Sequence, residues 1–434
     1  MSATRLTGAL ARREQGTAEV VHVARGGSQQ VCEHIISLTS LLTSWAYQVT
    51  VVGPLDKKLR TELGRGGVAT AEISLPESTS LREQLAAARG LAGLLRNHPV
   101  SLIHAHGFQS ALSALLACRS LRPAPPVVCT PHGLPFLEHE RPLSPWRRRA
   151  YRWLLRRCDA VIAASDTQRR EIGAIDPASA RDAAVVPYGI DPRRYYDPLS
   201  VGRRRQLLGI NPAAAVIGCV GEMARGGPLE LFFDAAAQLC RRLPNLEFVL
   251  IGSGPDQDHF RDLAHRRGIL GASVFLGERH DLPQVLGALN VLAVPQTSWP
   301  AGMLALQALA CGLQVVAVPG GEAEEMLPDA PEVVIVSSSD PTALAQGIEE
   351  QLRTESDAMA PAEEDAMAVS AELSSFLVSR EFYDLDRPTP VDGPPASAGI
   401  NVPAAELLQA YSVTQMARET VAVYHELLDK RSGK

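Results

Sequence analysis

Short apolar runs rich in Val, Ile and Ala recur along the chain, separated by segments with helical patterning. This rhythm constrains the fold more than any other feature. In the first half the runs are EVVHV (Glu19–Val23), QVTVV (Gln48–Val52), SLIHAH (Ser101–His106), PVVCTP (Pro126–Pro131), DAVIAAS (Asp159–Ser165) and AAVVP (Ala183–Pro187). Strands that are continuously apolar are buried on both faces, the condition of a parallel sheet covered by crossover helices. Between the first two runs, Val31, Ile35, Leu38, Leu41 and Leu42 recur at the spacing of one helix face.

PYGIDPRRYYDP (Pro187–Pro198) interrupts the rhythm with prolines and a glycine, and reads as a linker. The pattern then restarts with AVIGCVG (Ala215–Gly221), LEFVLIGSG (Leu246–Gly254), SVFLG (Ser273–Gly277), VLAVP (Val291–Pro295), QVVAV (Gln314–Val318) and EVVIV (Glu332–Val336). The expectation is an α/β chain of two doubly wound, Rossmann-like domains facing a cleft, over 18–193 and 194–353. A length of 434 residues agrees with it, at roughly 100–200 residues per domain. A flexible extension is expected over 1–17. Residues 354–402 are acidic and rich in Pro, Ala and Ser, and read as a mobile insertion. A terminal helix is expected within 403–434, from about Pro403 to Leu428.

A formal net charge of -6 lacks the basic footprint of a nucleic-acid binder. The seven cysteines (Cys32, Cys118, Cys129, Cys158, Cys219, Cys240 and Cys311) form no C-x-x-C pair. They suggest a reducing compartment and no zinc cluster. No apolar run approaches the roughly 18 residues of a membrane span, and MSATRLTGALARREQG lacks the apolar core of a secretory signal. The expected location is cytoplasmic, with peripheral contact at the inner face of the membrane as an option.

PQTSWPAGMLALQALACGLQVVAV (Pro295–Val318) places a glycine-containing turn and a helix between two buried strands. Free N–H groups and the helix dipole at such a turn suit a phosphate or a sugar. Carboxylates that would grip sugar hydroxyls are missing from it.

GGSQQ after the first strand, IHAHG, TPHGLPF, CDAVIAASDTQRREI, VVPYGID, VLIGSGP, VFLGER and ALACGLQVVAVPGG occur in an order that resembles glycosyltransferase family 4, with the GT-B fold. The resemblance covers about Glu19 to Asp329 and the terminal helix. It implies transfer of a sugar from a nucleotide sugar to a glycan or lipid-linked acceptor, with retention at the anomeric carbon. It implies no metal and no cofactor. The donor is expected in the C-terminal domain, the acceptor at the N-terminal domain, and the last helix is expected to cross back to the first domain.

Residue by residue, the resemblance puts Gly26 and Gly27 in a loop over the donor phosphate and acceptor, with Arg25 beside them. His132 is expected to touch the transferred sugar. His104 and His106 are weaker candidates than His132, and either line the cleft floor or fill the core. Gly252 and Gly254 approach the nucleotide base, with Glu278 and Arg279 as base-pocket residues. Gly302 is a backbone contact before its helix, followed by Met303.

The family's donor loop usually reads G-R-L-x-x-x-K-G, whereas this chain reads GEMARGGP (Gly221–Pro228). Glu222 stands at the Arg position and Gly227 at the Lys position. The usual acid pair, seven residues between, is replaced by Trp299 and Gln307; Glu324 does not restore it. Each charge-assisted hydrogen bond is worth about 1.5–3 kcal/mol, and losing a donor to a developing anion costs roughly 10²–10³ in rate. Arg225 is the one nearby cation able to substitute. Two readings follow: a glycosyltransferase with an impaired donor site, or an inactive pseudo-glycosyltransferase that binds a sugar, a nucleotide or a protein partner. A sugar-nucleotide epimerase on the same fold is the weaker third.

PWRRRAYRWLLRRCD (Pro145–Asp159) interleaves six arginines with aromatic residues. The plain reading is a family helix with a solvated charged face and an aromatic core stripe. The other is an interfacial helix that touches anionic lipid.

Overall fold

The structure, a computed structural model, describes residues 18–26, 29–76, 80–96, 100–133, 144–195, 199–279, 281–297, 300–327, 332–358 and 408–432. The expected N-terminal extension, Gly27, Trp299 and residues 359–402 of the expected insertion lie outside them. The chain divides into two compact units. The first is formed by the chain up to Gly189, apart from 135–142, together with Val413–Lys434; the second includes Ile190–Ser412.

In the first unit, strands β1 (Glu19–Val23), β2 (Gln48–Gly53), β3 (Ala69–Glu72), β4 (Leu102–His106), β5 (Val127–Thr130), β6 (Ala160–Ala163) and β7 (Ala184–Val185) form one sheet, in the order β3-β2-β1-β4-β5-β6-β7. All pairings are parallel. The connecting helices are α1 (Gln29–Ser44), α2 (Lys57–Arg65), α3 (Leu81–Arg96), α4 (Phe108–Cys118), α5 (Pro145–Leu155), α6 (Asp166–Ile175) and α7 (Pro177–Asp182). One sheet face presents Val20, Leu102, Val128 and Ile162. It is covered by Ile35, Leu38 and Leu42 of α1 and by Met416, Val421 and Tyr424 near the C-terminus. Glycine at 53 is required by proximity: a Cβ there would lie 1.7 Å from the carbonyl oxygen of Ala24 on the neighbouring strand.

The second unit repeats the plan with helices α8 (Val201–Leu208), α9 (Leu229–Cys240), α10 (Gln257–Arg266), α11 (Leu282–Leu286), α12 (Ala301–Ala310), α13 (Glu322–Met326) and α14 (Pro341–Ala358). Its strands are β8 (Ala215–Val220), β9 (Leu246–Ile251), β10 (Ser273–Gly277), β11 (Val291–Val294), β12 (Gln314–Ala317) and β13 (Val333–Ile335), ordered β10-β9-β8-β11-β12-β13. Alternate strand residues enter opposite cores. Val216, Leu292 and Val315 pack with α11, α12 and α13, while Ile217, Val291 and Val316 pack with α9, α10 and α14. Both faces are therefore buried, as the continuous apolar runs require.

Helix α15 (Val413–Arg431) belongs to the first unit. It runs beyond Leu428, and residues 408–410 just before it are also helical; the expected start at Pro403 lies outside the described residues. Its apolar residues complete the first core, so the last segment of the chain returns to the first domain. Three further expectations change. β3 (ATAE) was not among the expected strands. Helix α14 continues through Ala358, past the expected domain end at 353. The tryptophans of α5 form no core stripe: Trp146 and Trp153 are 59% and 41% exposed, whereas Leu154 and Leu155 are buried. Among the described residues, no helix is long and apolar enough to cross a membrane.

Candidate functional site

Open parallel sheets bind ligands beyond the carboxyl ends of the strands, where the strand order reverses. That point lies between β1 and β4 in the first unit and between β8 and β11 in the second. The expected site residues collect at loops near these two points, and each unit is described by itself.

In the second unit, the loop after β8 is zipped to the loop after β9. Met223 N–H donates to the Ser253 carbonyl at 3.0 Å, and Asp256 N–H donates to the Met223 carbonyl at 3.0 Å. Gly252 and Gly254 are the price of this closeness. A Cβ at Gly252, whose φ is +134, would lie 2.1 Å from the Gly221 carbonyl oxygen, and one at Gly254 2.4 Å from that of Met223. Packing therefore accounts for both glycines before any nucleotide base is invoked.

Glu222 is exposed at the tip of the first loop, as is Arg225. Arg225 is already engaged, its Nε 3.1 Å from Oδ1 of Asp256. Gly226 N–H donates to Oε1 of Glu230 at 3.2 Å. The loop thus carries Glu222 and Arg225, with Arg225 held by Asp256 and the Gly226 N–H by Glu230. Gly227 contributes no charge, and a Cβ there would meet the Ala224 carbonyl oxygen at 3.0 Å. Glu278 is exposed, while Arg279 is turned onto Asp281, with Nε 2.8 Å from Oδ1.

Across the switch point, Gln296 Nε2 donates to the Val220 carbonyl at 3.2 Å, tying the end of β11 to the end of β8. Helix α12 follows, with no side-chain cap at Pro300. Gly302 is explained by packing, since a Cβ there would fall 2.2 Å from Sδ of Met326. Met303 is buried and Gln307 has no exposed surface. The resemblance puts Gln307 at the ribose-binding position, and its side chain is fully buried. Glu324 caps its own turn, accepting from Gly320 N–H at 2.5 Å.

The first unit holds a histidine cluster, of which His104, His106 and His132 stand out in the sequence. His22 on β1 and His104 on β4 are register partners, and His106 follows two residues on, on the same face. His34 comes down from α1, and His132 follows β5 with φ +53, a left-handed conformation uncommon outside glycine. Nδ1 of His22 lies 2.9 Å from Nε2 of His106, and Nδ1 of His106 lies 2.8 Å from Nε2 of His132. Nδ1 of His132 lies 2.7 Å from the Tyr188 hydroxyl. His104 is held at both nitrogens, by Tyr424 at 2.6 Å and Thr130 at 2.7 Å. Gly26 (φ +77) has open space where a Cβ would stand, so its glycine serves the turn after β1.

Burial governs the charge of this cluster. It pushes the pKa values of His22 and His34 down to about 3, helped for His22 by the neighbouring His34. Burial and the adjacent imidazoles hold His104, His106 and His132 well below the usual histidine range. All five rings are neutral at pH 7. Each can then donate from one nitrogen and accept at the other.

His106 and His132, both candidate site residues, stand side by side, whereas His22, His34, Tyr188 and Tyr424 carried no expectation from the sequence. Alternate spacing of His104 and His106 on a strand was the available signal. The partners Tyr188 and Tyr424 lie too far along the chain for spacing to reveal them.

Two consecutive doubly wound α/β units, with a terminal helix returning to the first, define the GT-B class of fold. The family model described as Glycosyltransferase Family 4 matches residues 31–194, and that described as Glycosyl transferases group 1 matches 214–354. The chain is 30% identical over 308 residues to a D-inositol 3-phosphate glycosyltransferase of Corynebacterium urealyticum, covering 65% of this chain and 71% of that protein. It is 28% identical over 181 residues to the lipopolysaccharide core biosynthesis mannosyltransferase LpsB of Rhizobium meliloti, covering 41% of this chain and 50% of that protein. Among solved structures, HepE of Anabaena in complex with UDP and glucose superposes with a TM-score of 0.69 at 20% identity, over 94% of this chain and all 100% of that one. The glycosyltransferase WaaG superposes with a TM-score of 0.57 at 17% identity, over 77% of this chain and 90% of that one. The chain belongs to glycosyltransferase family 4.

Proposed function

We infer that the chain is a family 4 glycosyltransferase with an impaired donor site. Its reaction is transfer of a sugar from a nucleotide sugar to a glycan or lipid-linked acceptor, with retention. The observation that carries the impairment is the loop after β8. Glu222 replaces a cation, Gly227 supplies none, and Arg225 is paired with Asp256. A diphosphate placed there meets carboxylates where a leaving group needs positive charge. Full burial of Gln307 favours the second reading, a binding scaffold without turnover, because it removes a further hydroxyl-binding side chain.

Calorimetry with UDP-, GDP- and ADP-sugars, paired with a nucleotide-release assay, separates the two. Weak binding with slow release supports the impaired enzyme, and no binding of any donor supports the scaffold. Tight binding with rapid release contradicts the impairment.

The exposed face of α5 supports peripheral contact with an anionic membrane surface. Trp146 and Trp153 stand on it seven residues apart, with Arg149 between them and Arg157 one turn on, all exposed.

A further inference from the structure

We propose that His34, His106 and His132 form a site for one divalent late first-row transition metal ion, such as Zn²⁺ or Co²⁺. Five of the chain's 11 histidines meet in this cluster, and one nitrogen each from His34, His106 and His132 lie within 4.8 Å of one another. His22, His104 and His106 form a second close trio. There, however, both nitrogens of His104 are taken by Tyr424 and Thr130.

The chosen trio differs in two respects. His34 is 5% exposed, and neither of its ring nitrogens has a hydrogen-bond partner. A buried imidazole with no partner at either nitrogen is costly unless something else satisfies it. Nδ1 of His106 and Nε2 of His132 also point at each other, while the outer nitrogen of each ring has its own partner, His22 at 2.9 Å and Tyr188 at 2.7 Å. When both outer nitrogens donate, the two facing nitrogens, 2.8 Å apart, both carry lone pairs that can ligate an ion.

Metal-bound histidines usually donate their other N–H to a carboxylate, a backbone carbonyl or water, which fixes the ring; here His22 and Tyr188 take that place. Ligand nitrogens around a tetrahedral zinc stand roughly 3.3 Å apart at Zn–N of about 2.0–2.1 Å. The pair opens by about half an ångström to reach that spacing, and His34 moves in from within 4.8 Å. His132 is the least buried of the three, and three-histidine zinc sites take water as the fourth ligand. Imidazole ligands suit this class of ion, whereas magnesium and calcium prefer oxygen.

The test uses the full chain stripped with a chelator and titrated with Co²⁺, followed by visible absorption. One ion per chain is expected, with the intense d–d bands of a four-coordinate site. His34→Gln and His132→Gln should abolish the bands, and Tyr188→Phe should weaken affinity by about 10–100-fold. Circular dichroism checks that each variant folds, and the wild-type thermal midpoint should rise with Zn²⁺. Absence of both the bands and the Zn²⁺ shift in the wild type overturns the site. So do bands that persist in folded His34→Gln and His132→Gln, which would place the ion elsewhere.

Discussion

A Cβ on Gly302 would fall 2.2 Å from Sδ of Met326, the mobile end of a side chain, whereas one on Gly252 would fall 2.1 Å from the backbone oxygen of Gly221. Gly302→Ala meets that movable sulfur and, less closely, the Glu322 carbonyl oxygen at 3.3 Å, and should cost about 1–3 kcal/mol. Gly252→Ala adds the strain of φ +134 against an immovable carbonyl and should cost more. Differential scanning calorimetry checks the order; a larger loss for Gly302→Ala contradicts it. Asp256→Asn releases Arg225 from its ion pair. Exposed pairs contribute about 0–1 kcal/mol, so the thermal midpoint should barely move while affinity for a nucleoside diphosphate rises several-fold. Unchanged affinity in equilibrium titration means Arg225 does not reach the phosphates.

Helix α15 inserts Tyr424 into the first core with its hydroxyl 2.6 Å from Nδ1 of His104. Tyr424→Phe strands that buried nitrogen and should cost about 1–3 kcal/mol of stability by chemical denaturation; a neutral result contradicts the pairing. Helix α5 makes a surface prediction instead. Trp146→Ala with Trp153→Ala should reduce flotation with anionic vesicles several-fold at low salt, and equal flotation of the double variant refutes the contact. At this scale the sequence was most legible. Every strand of the second unit follows a Val-, Ile- or Leu-rich run. β3 escaped because ATAE lies at the sheet edge, half-exposed or exposed throughout, and carries no apolar signature. The tryptophans of α5 misled for the opposite reason: aromatic residues at helical spacing resemble a core stripe until the buried side is known.

Over the whole molecule, the histidine cluster links stability to pH. His22 and His34 fall from 6.5 in the unfolded chain to about 3 in the folded one, mainly through burial. Between those values the unfolded chain binds more protons, so stability rises with pH and is lost as pH drops through the window. The limiting slope is about 1.4 kcal/mol per pH unit for each imidazole. His104, His106 and His132, which face the same space with Tyr188 and Tyr424, add to it in the same direction. In metal-free buffer the thermal midpoint should fall steeply from pH 7 to pH 5, with a shallower fall for His34→Gln; a flat wild-type profile contradicts the buried neutral cluster.

Strand rhythm and motif order were enough to read a two-domain fold and its family, because both are written locally. The sites were less legible. A glycine demanded by loop packing, as at 252, 254 and 302, looks the same in a sequence as one that admits a ligand. The pairing of Arg225 with Asp256 likewise depends on two loops meeting. The central claim is that the charges of the loop after β8 weaken donor binding, and calorimetry on the Glu222→Arg, Gly227→Lys double variant tests it most directly. The account predicts that the variant binds a nucleotide sugar at least about tenfold more tightly than the wild type, since each restored charge-assisted bond is worth about 1.5–3 kcal/mol. Equal affinity for every donor, or tight binding by the wild type, would contradict it.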